Sequence, residues 1–394
     1  MLPTYQRAIV DVIAARIAEP RRFIQIVVGP RQTGKTTAVR QAMERVGIPV
    51  RFARASQDIP SSQDWLRREW DEARTLAAQG PALLVVDEVQ MVHQWSAVVK
   101  ALWDADTDHS AELAVVLTGS PSLLLQKGMR ESLTGRFDVI PCQQWYFREC
   151  EEAFGFSLED YLCFGGYPGA ASLKGDKERW LDYMQGSIIA PSVLKDVVAL
   201  DRVTKPALME ALFALGSAYS AQEVSYRKLM GQLDDAGNAT TIAHYLSLLS
   251  DAGLLTGLQK YSEKLMKTRA SSPRLITHDT SLMVASYGRR RDLLLKEPDL
   301  RGHLVESAVG AYLLKRASEE HFEVFWWREG TREVDFVVQD GTARTAIEVK
   351  GGRVKRLGGL DAFAKEFPGS HGLVVGSSAA PLESFLRGEV PLFA

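Results

Sequence analysis

The chain has 394 residues, 46% hydrophobic and 24% charged, enough for about two or three domains with their own cores. A formal charge of −2 excludes a general polyanion-coating role but leaves room for a local basic face. No apolar run approaches bilayer length, Met1 to Pro20 carries Asp11 and Glu19 where a signal peptide needs an apolar core, and the three cysteines (Cys142, Cys150, Cys163) show no metal spacing. The expected setting is therefore a reducing cytoplasm, with no membrane partner.

The first predicted strand, Phe23 to Val28, runs directly into Gly29-Pro30-Arg31-Gln32-Thr33-Gly34-Lys35-Thr36-Thr37, and a helical pattern follows from Ala38 to Val46. G-x-x-x-x-G-K-T between a strand and a helix is the phosphate-cradling P-loop. Its glycines let backbone N–H groups turn inward around a β-phosphate at a helix N-terminus. Lys35 is expected to reach the β- and γ-phosphates of ATP, and the Thr36 hydroxyl to ligate Mg²⁺.

A second apolar run, Leu83-Leu84-Val85-Val86, ends in Asp87-Glu88 about 50 residues further on, the form of a Walker B strand. Asp87 is expected to hold Mg²⁺ through water, and Glu88 to orient or deprotonate the attacking water. A third strand, Ala114 to Leu117, ends in Thr118-Gly119-Ser120. Strand C-terminal ends carry ligand contacts in parallel sheets, so Thr118 and Ser120 are candidates for sensing the γ-phosphate or holding the lytic water. Arg136, in Ser132-Leu133-Thr134-Gly135-Arg136, is a candidate arginine finger, within one chain or across a subunit interface.

With these motifs, Val89-Gln90 and Trp95 behind Asp87-Glu88, and Gly165-Gly166-Tyr167-Pro168, the sequence resembles the bacterial and archaeal AAA-type P-loop ATPases that carry a C-terminal domain of unknown function. The resemblance implies ATP binding by Gly29 to Thr37 and hydrolysis using Asp87 and Glu88. Val92-His93 departs from the family, which often has a proline before the tryptophan; this touches a loop and not the chemistry.

Gly165 to Pro168 is a turn signal closing an aromatic- and glycine-rich stretch, and helical patterns follow from Asp176 to Leu200. From Lys205 the order is a helix (Pro206 to Tyr219), Ser225 to Met230, a polar cap at Asn238, a third helix to Leu249 and a short β stretch at Leu254-Leu255. Three helices and a β-wing read as a winged helix-turn-helix. Thr240, Thr241, His244 and Ser247 on the third helix, with Lys260, Lys264, Lys267 and Arg269 in the wing, suit DNA contact; a rigid packing or oligomerisation role is the competing reading.

Near the far end, Arg332 to Val338 and Ala343 to Lys350 flank Gln339-Asp340-Gly341-Thr342, a hairpin signal. A two-residue turn at Asp340-Gly341 would set Asp335 opposite Ala346 with Glu348 as its diagonal neighbour, roughly 7–8 Å away. Asp335, Glu348 and Lys350 would then share a face. Asp, then Glu-x-Lys on the next strand, resembles the PD-(D/E)xK core of restriction endonucleases and Holliday-junction resolvases, with Glu306 on the preceding helix as a third acid. The resemblance implies that Glu306, Asp335 and Glu348 hold Mg²⁺ and that Lys350 activates the attacking water.

The expected fold class is α/β: an AAA-type P-loop parallel sheet over 1–150, a helical connector over 151–203, a winged helix over 204–280 and a nuclease-like domain over 281–394. Two functions follow from it. One is an ATP-driven enzyme that acts on DNA and cuts it. The other is a nucleotide switch whose C-terminal half docks on a protein or nucleic acid without cutting; either could be an oligomer.

Overall fold

The structure, a computed structural model, describes residues 3–56, 62–121, 123, 132–197, 203–263, 271–350 and 358–393. The chain divides into two compact units, Met1–Gln143 and Gln144–Ala394.

The first unit is a parallel sheet with helices on both faces. Its elements are α1 (Ala8–Ala18), β1 (Ile24–Val28), α2 (Lys35–Met43), β2 (Val50–Arg54), α3 (Gln63–Ala77), β3 (Ala82–Asp87), α4 (Trp95–Asp108), β4 (Leu113–Gly119) and β5 (Phe137–Pro141). The five strands lie in the order β2-β3-β4-β1-β5, every neighbouring pair parallel. β1 and β3 are buried at every position, as strands covered on both faces must be, which is why they read as unbroken apolar runs. Alternation then sorts the side chains. Ile24, Ile26, Val28, Leu84 and Val86 pack on the face holding Trp70, Trp95 and Trp103; Val27, Leu83, Val85 and Val116 pack on the other, against Val10, Ile13, Ala38 and Val39 of α1 and α2. Parallel strands bring all their C-terminal ends to one edge, and the P-loop, Asp87 and Thr118 stand along it.

The second unit begins with α5 (Phe147–Phe154), α6 (Leu158–Phe164) and α7 (Lys177–Tyr183). It continues through α8 (Pro206–Ala218), α9 (Tyr226–Met230), α10 (Ala239–Asp251), β6 (Leu255–Leu258) and β7 (Arg274–Thr277). Asn238 caps α10 by accepting the Thr241 N–H, as its position in the sequence suggests. β6 and β7 pair antiparallel, with Leu258 opposite Arg274.

α11 (Thr280–Ser286) and the long α12 (Pro298–Glu320) then lead into β8 (Glu323–Glu329), β9 (Arg332–Asp340), β10 (Ala343–Val349), α13 (Gly358–Glu366), β11 (His371–Val375) and α14 (Leu382–Leu386). The sheet order is β11-β10-β9-β8; β8, β9 and β10 are antiparallel neighbours and β11 runs parallel to β10.

The hairpin register corrects the expectation from sequence. Ala343 pairs with Asp340 and Ile347 with Phe336, so the loop is Gly341-Thr342 and Asp335 faces Glu348 directly rather than diagonally. Of the loop residues only Gly341 has positive φ, +55°, at the first loop position. That is the type II′ pattern, whereas a turn at Asp340-Gly341 of type I′ would have forced Asp340 left-handed as well. No helix among the described residues is long and apolar enough to cross a membrane.

Candidate functional site

At the C-terminal edge of the first sheet, Gly34 adopts φ +93°, a conformation that glycine takes at little cost, and α2 starts at Lys35. Lys35 Nζ donates to the carbonyls of Gly29 and Pro30, both at 2.8 Å, so the ammonium lies over the loop it must guard. Gly29 is required for another reason: an added Cβ would lie 1.9 Å from the carbonyl oxygen of Cys142, which leaves β5. The loop is pinned there from behind. Thr33 Oγ1 donates to the Pro30 and Cys142 carbonyls at 3.0 and 3.1 Å, and Arg7 Nη1 donates to the Thr33 and Gln143 carbonyls at 3.3 and 3.1 Å. The Cys142 N–H returns to Val28 O at 2.6 Å. Gly29→Ala should therefore push the loop off β5, losing ATP binding and about 1–3 kcal/mol of stability, read from a thermal melt and a nucleotide titration. A variant that melts and binds as the parent does would refute the tight fit.

Asp87, 0% exposed, is the hub of the edge. Thr36 Oγ1 donates to its two oxygens at 3.0 and 3.1 Å, Thr118 Oγ1 donates to Oδ1, and Arg54 Nε lies 3.0 Å from Oδ2. Of Thr36, Asp87, Glu88 and Thr118, all expected here, three are thus brought together in contact. Glu88, the fourth, joins through its backbone, whose N–H donates to Thr118 Oγ1 at 3.2 Å. Glu88 itself sits at φ +58°, a costly conformation for a non-glycine residue and one typical of functional positions. Its carboxylate accepts from Gln90 Nε2 at 2.6 Å, which fixes its direction. The adjacent hydroxyl and carboxylate oxygens of Thr36 and Asp87, beside a glycine-lined loop, are the hard donor set that Mg²⁺ takes together with phosphate and water, so the residues present fit an Mg²⁺-nucleotide. Ser120, one residue past β4, is buried. Arg31, Gln32 and Thr37 complete the loop and the first turn of α2.

Arg136 is placed elsewhere. β5 runs parallel to β1 with Phe137 beside Ile24, so Arg136 stands at the opposite edge of the sheet, about 16 Å from the loop at 3.3 Å per residue. There it pairs with Asp104 of α4 at 2.7 and 3.1 Å, and that hydrogen bond holds the Asp104 carboxyl below the usual range. Within one chain it does not meet Lys35 or Glu88. Only the intersubunit role remains open to it.

In the second unit, Thr240, His244 and Ser247 are exposed along α10 and Thr241 is partly so, its hydroxyl bonded to Asn238. Lys260 is partly buried beside Trp326; Lys264, Lys267 and Arg269 lie outside the described residues.

The expected metal site holds a guanidinium. Arg274, at the start of β7 and 3% exposed, places Nη2 2.8 Å from Glu306 Oε2 and 3.3 Å from Asp335 Oδ1, with Nη1 2.7 Å from Glu333 Oε1. Nε donates to Ala221 O at 3.1 Å. Burial opposes the charge, but Asp335, Glu306 and Glu333 outweigh it and hold the guanidinium's pKa above its ordinary value. The other oxygen of Asp335 accepts the Val349 N–H at 2.9 Å. Glu348 is buried near by, Gly359 passing so close that a Cβ there would lie 2.7 Å from its Oε1, while Lys350 is exposed. Among the described residues no three acids, histidines or cysteines are grouped to hold a metal. The expected Mg²⁺ ligands Glu306, Asp335 and Glu348 do not fit that ion here, because the centre between the first two is filled by a fixed cation.

Sequence reasoning missed Arg54, Gln90 and Arg274. Gln90 stood in the Walker B motif with no role assigned; Arg54 ends a strand next to Asp87, a position that strand order alone would have revealed.

Compared with known families, residues 21–151 match one described as an AAA domain, residues 155–293 a domain of unknown function (DUF8612) and residues 301–388 a second domain of unknown function (DUF4143). An uncharacterized protein of Haemophilus influenzae is 23% identical over 357 residues, covering 83% of this chain and 81% of that one. One of Mycobacterium tuberculosis is 26% identical over 345 residues, covering 86% and 73%. Among solved structures, AMPPCP-bound DnaA from Aquifex aeolicus is 16% identical, covering 61% of this chain and 86% of that one at a TM-score of 0.33. The Aeropyrum pernix ORC1 protein in complex with DNA is 10% identical, covering 75% and 95%, also at 0.33; such scores establish neither fold nor function. Residues 21–151 thus carry an AAA-type P-loop domain by motif, strand order and family match alike, with the DUF4143 domain behind it at 301–388.

Proposed function

We propose that the protein binds and hydrolyses ATP and uses the nucleotide state to govern its action on DNA through the second unit. The observation that carries the ATPase reading is the convergence of Thr36, Thr118 and Arg54 on buried Asp87, with Glu88 one residue beyond. Gly29 to Thr37 wrap the phosphates, and Lys35 exchanges the Gly29 and Pro30 carbonyls for phosphate oxygens. Mg²⁺, when bound through Thr36 and Asp87, neutralises charge on the β- and γ-phosphates. Glu88, aimed by Gln90, orients the attacking water, and Thr118 keeps its backbone in register with Asp87.

For the second unit, the reading is a winged helix at α8 to β7 that presents Thr240, His244 and Ser247 to duplex DNA, neutral donors of the kind used at phosphates and base edges. Free cysteines at 142, 150 and 163 suit a reducing cytoplasm. A second reading, a nucleotide switch whose terminal domain keeps a nuclease-like order of elements, α12-β8-β9-β10-α13-β11, but docks without cutting, is favoured by the guanidinium of Arg274 between Glu306 and Asp335.

Phosphate release by the full chain, with and without duplex DNA at low and high salt, tests the proposal. Hydrolysis stimulated by DNA, and lost at high salt, is expected. Absence of hydrolysis would sink the ATPase reading, and turnover indifferent to DNA together with no DNA binding would sink the rest.

A further inference from the structure

The strongest departure from expectation is the cation inside the acidic cluster. We propose that Arg274 is the permanent counter-ion of that cluster: it stands where a divalent ion would bind Glu306 and Asp335, so the terminal domain takes up no Mg²⁺ of its own. The inference rests on reading the terminal sheet as nuclease-like and decides against metal-dependent cutting by it.

A single nitrogen, Nη2, serves both carboxylates, at 2.8 and 3.3 Å. The two oxygens thus converge on one point, which is what a bridging metal would need. Mg²⁺ binds oxygen at about 2.0–2.1 Å and keeps several waters, so ion and guanidinium cannot share that space. Nor is Arg274 a surface side chain that has fallen in. Its Nε bond to Ala221 O and its Nη1 bond to Glu333 fix both sides of the fork, and the guanidinium carbon lies over the Phe336 ring, 5.8 Å from its centre. Its backbone is fixed too: Arg274 pairs with Leu258 in the β6–β7 ladder and with Glu223 across an isolated bridge. Withdrawing the side chain means breaking its bonds to Ala221, Glu306, Glu333 and Asp335 while the strand that carries it stays in place. A second guanidinium raises the barrier further, since Arg328 holds the other oxygen of Glu333 and reaches Glu223. An entering divalent ion would meet two fixed positive charges. Finally, both oxygens of Asp335 are committed, one to Arg274 and one to the Val349 N–H.

The test is a nucleotide-free Mn²⁺ titration of the full chain, followed by electron paramagnetic resonance, in an Asp87→Asn background that removes the Walker B carboxylate at the end of β3. The Arg274 protein is expected to show no saturable site at millimolar metal. Arg274→Met is expected to gain one site per chain, lost again when Asp335→Asn is added. Saturable Mn²⁺ binding by the Arg274 protein that Asp335→Asn abolishes would overturn the inference, as would an Arg274→Met protein that folds and binds nothing. Should Arg274→Met fail to fold, the triple variant Arg274→Met with Asp335→Asn and Glu306→Gln is expected to recover a cooperative melt, because both buried carboxylates that lost their cation are then neutral while Glu333 keeps Arg328; no recovery would overturn the counter-ion role. Plasmid cleavage abolished by Asp335→Asn would likewise defeat the inference while supporting the nuclease reading. Failure of ATP hydrolysis would leave all these readouts unchanged, so the two claims fail separately.

Discussion

Glu88→Gln is expected to bind ATP as the parent does and to hydrolyse it about 10²–10⁴-fold more slowly, the usual weight of a positioned general base. The substitution is nearly isosteric and keeps an oxygen to accept from Gln90 Nε2, so the aim of the side chain is preserved. The Glu88 backbone bond to Thr118 is untouched, and with it the left-handed turn that lifts the side chain off the end of β3. What is lost is the negative charge that draws a proton from water. Single-turnover phosphate release beside a fluorescent-nucleotide titration separates the two properties. Turnover at the parent rate would mean that another group does the work, and Thr118 is the nearest alternative.

Lys35→Ala should weaken ATP binding about 100-fold or more, equivalent to about 2.7 kcal/mol. Lys35 is only 7% exposed, and the bonds of its ammonium to the Gly29 and Pro30 carbonyls hold it at the loop. A charge-assisted bond in so dry a place is stronger than one at the surface. Removing the side chain also strips two carbonyls of their donor, which should lower the melting temperature by a few degrees in the absence of ATP. The informative result is a loss of affinity much larger than that shift explains. An unchanged dissociation constant would show that backbone N–H groups alone carry the phosphates.

Much of the first unit was legible because its signals are local. G-x-x-x-x-G-K-T needs a strand before it and a helix after it, and the apolar run ending in Asp87-Glu88 needs burial on both faces; each requirement can be seen within one stretch of chain. Sheet order is not local, so nothing in Val50 to Arg54 announced that Arg54 would stand beside Asp87. The same limit explains Arg136, whose distance from the loop follows only from the parallel pairing of β5 with β1. In the second unit, the hairpin was legible but its register was not, since Asp-Gly and Gly-Thr both make acceptable loops and the choice rests on which residue can take positive φ. Arg274 was invisible for a different reason. It lies 32 residues before Glu306 and 61 before Asp335, in a short strand whose neighbours look apolar, and nothing periodic marks a basic residue that closure of the domain will bury.

The pinning of the P-loop to Cys142 has a mechanical meaning. Gly29, Thr33 and Arg7 all bear on the two residues at which the polypeptide leaves the first unit, Cys142 and Gln143. The Cys142 carbonyl that closes against Gly29 also accepts from Thr33 Oγ1, so the loop and the end of the first unit are held by the same atom. The phosphate loop and the last two residues of the first unit are therefore a single clamped piece, so a substitution that reshapes Cys142 or Gln143 is felt at Gly29 and Thr33 although it touches no phosphate.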